Sequence, residues 1–149
     1  MKRRIVIHCS AGPQTQTAAQ IIEWHTRAAS RGGRGWSRPG YHYIIEASGR
    51  VVNAVPEEQI ANGAKGFNAD SIHICYLGGV DSKGNPTDNR TPAQKGALRE
   101  LVDDIRRRHP GIAVVGHRDL SPDLNGNGRI ERHEWIKACP SFEVKSEFA

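Results

Sequence analysis

The sequence predicts an α/β fold for residues 1–149, a single domain with a central mixed β-sheet flanked by helices. Three observations carry this prediction: short β-branched runs typical of strands, two segments with helical periodicity, and no strict alternation between the two. The chain has 149 residues, 37% hydrophobic and 25% charged, which is the size and composition of one soluble globular domain.

The amino-terminal half is predicted to contain a strand, a helix and a hairpin. The β-branched run Arg4–Cys9 predicts the first strand. Apolar residues recur at helical spacing over Gln14–Ala29 and predict a helix that ends before two glycines. Tyr41–Glu46 and Val51–Ala54 alternate like strands, and Ser48-Gly49 between them predicts a hairpin turn.

The carboxyl-terminal half adds two strands and the clearest helix. Ser71–Gly78 is apolar enough for a central strand. Thr91 can cap the next helix, Pro92 suits its first position, and Gln94 completes a capping box. The following run, Ile112–Gly116, predicts a strand that leads directly into a histidine.

Three candidate metal ligands each lie in a segment that is predicted to form part of the rim of the sheet. His8 ends the first strand, His117 follows the last strand, and Cys139 lies in "IKACPSF". Two imidazoles and a thiolate form a zinc site that leaves a fourth position open for water, as catalytic sites do. No short metal motif contains all three residues, so spacing alone does not establish the site.

Composition and charge exclude some classes of function. No apolar run approaches the roughly 18 residues of a membrane helix, so no membrane partner is expected. The start, "MKRRIVIHCS", lacks a signal peptide's apolar stretch, which predicts synthesis in the cytoplasm. The three cysteines, which cannot all pair, fit a reducing compartment. Despite the net charge of +5, no helix-turn-helix or RNA-binding motif is present, and no nucleic-acid partner is expected.

Six segments in the right order resemble one family. The chain is similar over nearly its whole length to the zinc-dependent N-acetylmuramoyl-L-alanine amidases of the amidase-2 group, which includes phage amidase-type lysozymes and peptidoglycan recognition proteins. The similarity is strongest to the phage lysozymes. The segments are "VIHCSAG", "PGYHYIIEASGRV", "AKGFNADSIHICYLGG", "TPAQKGALRELV", "GHRDLSP" and "KACPSF".

The resemblance implies an α/β fold with a zinc cleft on one side of the sheet. The zinc ligands would be His8, His117 and Cys139, and the residues needed for amide cleavage would be Tyr41 and Lys137. Lys137 would supply a cation and Tyr41 a phenolic donor to the oxyanion of the tetrahedral intermediate. A proton relay through Tyr41 is the open alternative.

The resemblance also implies the substrate, the amide between N-acetylmuramic acid and L-alanine in peptidoglycan or a muropeptide. Two alternatives are a non-catalytic peptidoglycan-binding module and a regulator of RNA polymerase, since some phage lysozymes restrain their polymerase. Family members that only recognise peptidoglycan typically lack the cysteine, so Cys139 favours an enzyme. A monomer is expected, acting on the cell wall after release or non-classical export.

Several polar residues near the ligands have competing interpretations. Asp119 is either a hydrogen-bond partner that supports the ligand His117 or a cap for the following loop. His25, His42 and His73 are interpreted as structural histidines. His109 and His133 are likewise given no part in the zinc site.

The chain departs from the phage pattern in two places. Phage members carry a histidine just before "AKG", where this chain has Gly63. The second departure is an EF-hand-like insertion at about 121–136, which predicts a calcium site that could stiffen the segment before Cys139. An Asx-rich surface turn is the alternative. The calcium ligands would be Asp123, Asn125, Asn127, Arg129 and Glu134.

Overall fold

A five-stranded mixed sheet forms the centre of the protein, as the sequence predicts. The computed structural model describes residues 1–149. The strands lie in the order β3-β2-β4-β1-β5, and only β3 runs antiparallel to its neighbour. Their bounds are β1 (Arg4–Cys9), β2 (Tyr43–Ile45), β3 (Val51–Asn53), β4 (Ser71–Tyr76) and β5 (Ala113–Gly116).

Three helices flank the sheet: α1 (Ala18–Thr26), α2 (Pro92–Arg108) and α3 (Val144–Glu147). The predicted capping box of α2 is confirmed, since Thr91 and Gln94 exchange side-chain and backbone hydrogen bonds. Helix α1 is shorter than the predicted Gln14–Ala29. Its start is set by Thr17, whose extended backbone (φ −106°, ψ 157°) and capping side chain end the preceding turn.

One face of the sheet packs against α2 and α3. Alternate residues of β1 and β4 point to this side and meet the apolar stripe of α2 in the main hydrophobic core. Each fully buried aliphatic side chain here contributes roughly 1.5–3 kcal/mol relative to an exposed one. The core includes Ile5, Ile7, Cys9, Ile72, Ile74, Tyr76, Leu98, Val102 and Ile105.

The opposite face is covered by α1 and carries polar residues. Ala18 and Ile21 of α1 pack with Ile44 and Leu77 in a small apolar cluster. The other alternate residues of β1 and β4, among them His8, His73 and Cys75, are buried on this side. Three of the buried histidines lie on this face or its border, which is unusual for a core and indicates a functional region.

The insertion at 121–136 has no flanking helices. It is preceded by a 3-10 turn, His117–Leu120, and ends in another, Arg132–Glu134. The helix–loop–helix surroundings of an EF-hand are therefore absent. None of the helices in the structure combines the length and the apolarity that crossing a bilayer requires.

Candidate active site and metal centre

The three predicted ligands meet at one edge of the sheet. Ile7 pairs with Gly116, so parallel β1 and β5 deliver His8 and His117 to neighbouring positions. His8 Nδ1 lies 3.1 Å from His117 Nδ1, and Cys139 Sγ lies 3.9 Å from His8 Nδ1. The ligand atoms of all three residues lie within 4.8 Å of one another. The fold thus brings together two imidazoles and a thiol separated by up to 131 positions.

Cys139 is held against the sheet by backbone contacts. The Cys9 backbone N–H donates to Cys139 Sγ over 3.2 Å, and the Arg118 N–H donates to the Cys139 carbonyl over 2.8 Å. A Cβ on Gly116 would lie 2.8 Å from Pro140 Cδ, so only glycine allows this close approach. Strand β5 and the Cys139 loop therefore pack as one unit.

Burial keeps the two histidines in the form that binds metals. Burial, His73, His117 and Lys137 hold the pKa of His8 well below its usual value. Burial and the charge of Lys137 lower the pKa of His117 to about 4. The Cys9 thiol and burial raise the pKa of Cys139 well above that of a free thiol. A thiolate at Cys139 therefore needs a positive partner beside it.

Tyr41 lies beside the ligand cluster. Its ring centroid is 5.0 Å from that of His8 and 5.3 Å from that of His25. Burial, followed by the charges of nearby cysteines, raises the pKa of Tyr41 well above its usual value, so the phenol is a hydrogen-bond donor. His25 Nδ1 accepts from the Gly40 N–H over 3.0 Å, which matches the structural role predicted for it.

Lys137 is exposed at the rim of the site. Its positive charge lowers the pKa of both ligand histidines, which places it within electrostatic reach of them. It also lines, with His117, a small cavity of about 70 Å³. The other lining residues are Ala64, Lys65, Phe67, Leu120, Ser121 and Ile136.

Residues 2–140 match the family model described as N-acetylmuramoyl-L-alanine amidase. The chain belongs to this amidase family. The family that the sequence motifs indicate is therefore confirmed, and with it the assignment as an enzyme.

Individual relatives agree with the family match. This amidase is 35% identical to the endolysin of Klebsiella phage KP32 over 144 residues, which cover 95% of the chain and 82% of the phage protein. The structure of the Ph2119 endolysin from a Thermus scotoductus bacteriophage superposes with a TM-score of 0.68 at 29% identity, covering 93% of this chain and 77% of that one.

The fold extends to more distant members. The N-acetylmuramoyl-L-alanine amidase LysC from Clostridium intestinale matches with a TM-score of 0.72 at 23% identity, covering 98% of this chain and 80% of that one. At this identity the match shows a shared fold. The central mixed sheet of this amidase is thus the family's architecture.

Hydrogen bonds behind the candidate ligand His8 involve two residues that the sequence did not indicate for the site. His8 Nε2 lies 2.9 Å from His73 Nδ1, and His73 Nε2 lies 3.0 Å from Asn68 Oδ1. Burial lowers the pKa of His73 to about 3. The interpretation of His73 as structural did not include this contact with His8. Strand alternation was the signal that could have revealed this contact. His73 and Cys75 lie on the same face of β4, and β4 pairs with β1, so His73 lies on the same side of the sheet as His8.

The side chains of His42 and Asp119 accept hydrogen bonds from backbone N–H groups beside the site. His42 Nδ1 accepts from the His73 N–H, and its Nε2 donates to the Gln59 carbonyl, both over 2.9 Å. Asp119 Oδ2 accepts from the Gly116 N–H over 2.7 Å and so caps the turn that carries His117. Asp119 makes no hydrogen bond to the His117 imidazole, and the backbone group that it caps precedes His117 instead of lying in the following loop.

The predicted calcium ligands form a tight loop of their own. The Asp123 carboxylate accepts from the N–H groups of Gly126 and Gly128. The buried Glu134 carboxylate accepts from Leu124, Asn125 and Glu131. These contacts, with those of Asn125 Oδ1 and Asn127 Oδ1 to the N–H groups of Asn127 and Arg129, describe an Asx-rich turn; the calcium site stays a prediction.

Proposed function

We propose that this protein hydrolyses the amide bond between N-acetylmuramic acid and L-alanine in peptidoglycan, with a zinc ion held by His8, His117 and Cys139. The observation that carries the proposal is the convergence of these three donor atoms at one edge of the sheet. Membership of the amidase family supports the reaction and the substrate class.

The residues fit a catalytic zinc ion in distance and chemistry. Tetrahedral zinc with Zn–N of about 2.0–2.1 Å and Zn–S of about 2.3 Å implies ligand separations of roughly 3.3–3.6 Å. The separations from His8 Nδ1 are 3.1 Å to His117 Nδ1 and 3.9 Å to Cys139 Sγ. With three protein ligands, one position stays open, which distinguishes catalytic from structural zinc sites.

The chemistry divides between the metal and the protein. Zinc in such a site acidifies a water molecule and polarises a carbonyl oxygen. Tyr41, whose ring lies against that of His8, would donate a hydrogen bond to the oxygen that gains charge during amide cleavage. Lys137 adds a positive charge at the rim, which also stabilises that oxygen.

The surroundings of the site suit an anionic, partly apolar substrate. Lys65 and Lys137 offer positive charge, while Phe67 and the exposed Ile136 offer apolar surface beside His117. Peptidoglycan stems combine carboxylates with alkyl side chains, so both features are complementary to it. We propose that the protein acts on the cell wall as a monomer, after its release from the cytoplasm.

Muropeptide release from purified cell walls tests the proposal. We expect the protein to release soluble material with new L-alanine amino termini, a chelator to abolish release, and zinc to restore it. Binding to the walls without release would instead indicate a recognition module. Release that survives complete removal of metal would overturn the zinc-dependent mechanism.

A further inference from the structure

His73 lies directly behind the ligand His8, on the neighbouring strand β4. We propose that His73, oriented by Asn68, is a positioning residue that fixes the ring and the tautomer of His8 for zinc binding. This inference rests on the zinc site of the proposed function. It goes beyond that site because it assigns a specific task to two residues outside the ligand set.

The orientation begins at Asn68. Asn68 Oδ1 accepts a hydrogen bond from the Ala64 backbone N–H over 2.8 Å, and a backbone N–H can only donate. This contact identifies the oxygen of the Asn68 amide. The same oxygen lies 3.0 Å from His73 Nε2. His73 Nε2 must therefore carry a hydrogen and donate it to Asn68.

The tautomer of His73 then determines that of His8. A neutral imidazole has one N–H and one bare nitrogen, so His73 Nδ1 is an acceptor. It lies 2.9 Å from His8 Nε2, which consequently donates. His8 Nδ1 is left with a free lone pair that points towards His117 Nδ1 and Cys139 Sγ. The relay thus prepares the nitrogen that a metal ion needs.

The fold holds the His73 ring in this place from two sides. His42 stacks on it with ring centroids 5.9 Å apart at 13° and accepts from its backbone N–H. On the other side, a Cβ at Gly63 would lie 2.5 Å from His73 Cγ and Nδ1. Gly63 is the position where the phage pattern has a histidine. In this chain the His73 ring occupies the space beside Gly63, so a side chain at position 63 would displace the ring.

The zinc affinity of a His73→Phe variant tests the inference. Phenylalanine fills the space but cannot accept from His8 Nε2. Loss of the outer partner of a metal-binding histidine typically costs about 10–100-fold in metal affinity. We expect that increase in the Kd for zinc, measured by competition with a chromogenic chelator, and a changed absorption spectrum of the cobalt-substituted protein. His73→Gln, whose amide oxygen can accept, should recover part of the affinity.

His25→Phe is the matched control. It also removes a buried imidazole with a hydrogen bond, but His25 bonds the backbone of Gly40 and not a ligand. It should lose stability while keeping the zinc Kd and the cobalt spectrum of the parent. Asn68→Ala provides a second variant that leaves the His73 ring in place, for the case that His73→Phe does not fold. It should weaken zinc binding by a smaller factor.

The outcomes separate the inference from the proposed function. If the parent protein binds no zinc, the proposed function fails. If the parent binds zinc, but the folded His73→Phe and Asn68→Ala variants bind it with the parental Kd and cobalt spectrum, the positioning role is overturned. If His25→Phe weakens zinc binding as much as His73→Phe does, the effect belongs to general stability and the inference is also overturned.

Discussion

Two parts of the molecule carry candidate metal ligands, and they use their donor atoms in different ways. At the sheet edge, His8, His117 and Cys139 turn their donor atoms towards one another. In the loop at 123–134, the carboxylate oxygens of Asp123 and Glu134 accept hydrogen bonds from the loop's own backbone. The first arrangement leaves its donor atoms for a ligand, and the second already uses part of their hydrogen-bonding capacity to hold a turn.

This difference shows that suitable ligand residues do not by themselves make a metal site. The loop matches the EF-hand calcium pattern at every defining position within twelve residues. It is nevertheless bordered by short 3-10 turns and not by the two helices of an EF-hand. The sheet-edge residues match no short motif, yet parallel pairing of β1 with β5 places His8 beside His117, and backbone hydrogen bonds hold Cys139 next to them. Donor atoms become a site only when the rest of the fold turns them to a common point and satisfies the groups behind them.

The largest effect is expected from removing a ligand at the sheet edge. Cys139→Ala should lose zinc affinity by about 100–1000-fold, because it removes one of the three side chains that share the binding free energy. Cell-wall hydrolysis should fall with it. Zinc content after dialysis measures the first effect, and His133→Gln in the loop is the control that should keep about one zinc per chain. Equal zinc content in both variants would remove the distinction between the two regions.

Tyr41 and Lys137 should affect the reaction without affecting the metal. Tyr41→Phe and Lys137→Gln each remove one donor to the developing oxyanion, which typically costs about 10²–10³-fold in kcat, or about 2.7–4 kcal/mol. Steady-state kinetics on a soluble muropeptide, beside the zinc content, measure both properties.

Controls for these two variants lie elsewhere in the fold. Tyr43→Phe alters a tyrosine that packs against the α2 side of the sheet, and Lys145→Gln alters an exposed lysine on α3. Both should keep the parental kcat. A Tyr41→Phe variant with full activity would eliminate Tyr41 from the mechanism, and loss of zinc from either variant would mean that it supports the ligands instead.

The pH dependence of stability should differ between the two regions. In the metal-free protein, burial lowers the pKa of His25 and His117 to about 4 and of His73 to about 3, from 6.5. The unfolded chain therefore binds more protons below pH 6.5, so the free energy of unfolding falls as the pH drops towards 4. Each such histidine contributes a slope of about 1.4 kcal/mol per pH unit within its window.

The contribution of the loop to stability should change only at lower pH. Backbone hydrogen bonds lower the pKa of Glu134 from 4.5, so its contribution is present above pH 4.5 and is lost as the pH falls through the lowered value. Urea unfolding of the chelated protein between pH 7.5 and 4.5 isolates the histidine part. A flat profile over that range would contradict the burial of neutral histidines at the site.

The smallest effect is expected from calcium. Calcium would have to share the Asp123 and Glu134 carboxylates with the backbone N–H groups that they now accept from, so we expect a Kd of about 10⁻⁴–10⁻³ M at best. Calorimetry with calcium on the zinc-loaded protein measures it, with Asp123→Ala as the control. Binding in the micromolar range, or a calcium-dependent change in zinc affinity, would make the loop a second functional site.

Local signals in the sequence predicted the elements well. The bounds of β1 agree with the predicted strand, and the capping box placed the start of α2 at the correct residue. These features depend on neighbours within a few positions. The predicted start of α1 was too early because it included the polar residues 14–17, whereas the apolar stripe begins at Ala18, directly after the extended Thr17 cap.

The relay behind His8 could not be predicted in the same way. His73 is 65 positions from His8, and their contact depends on the register in which β1 pairs with β4. Asn68 enters through a 3-10 turn, Asn68–Asp70, that carries no strong sequence signal. The ligand residues themselves were identified by family resemblance, because neither composition nor periodicity specifies which strands become neighbours.

X-ray absorption at the zinc edge, on protein purified without added metal, tests the central claim most directly. We predict one zinc ion per chain, bound by one sulfur at about 2.3 Å and by two imidazole nitrogens at about 2.0–2.1 Å, with a further light-atom ligand in the open position. A coordination shell without sulfur, or a protein that hydrolyses cell walls with no zinc bound, would contradict the claim.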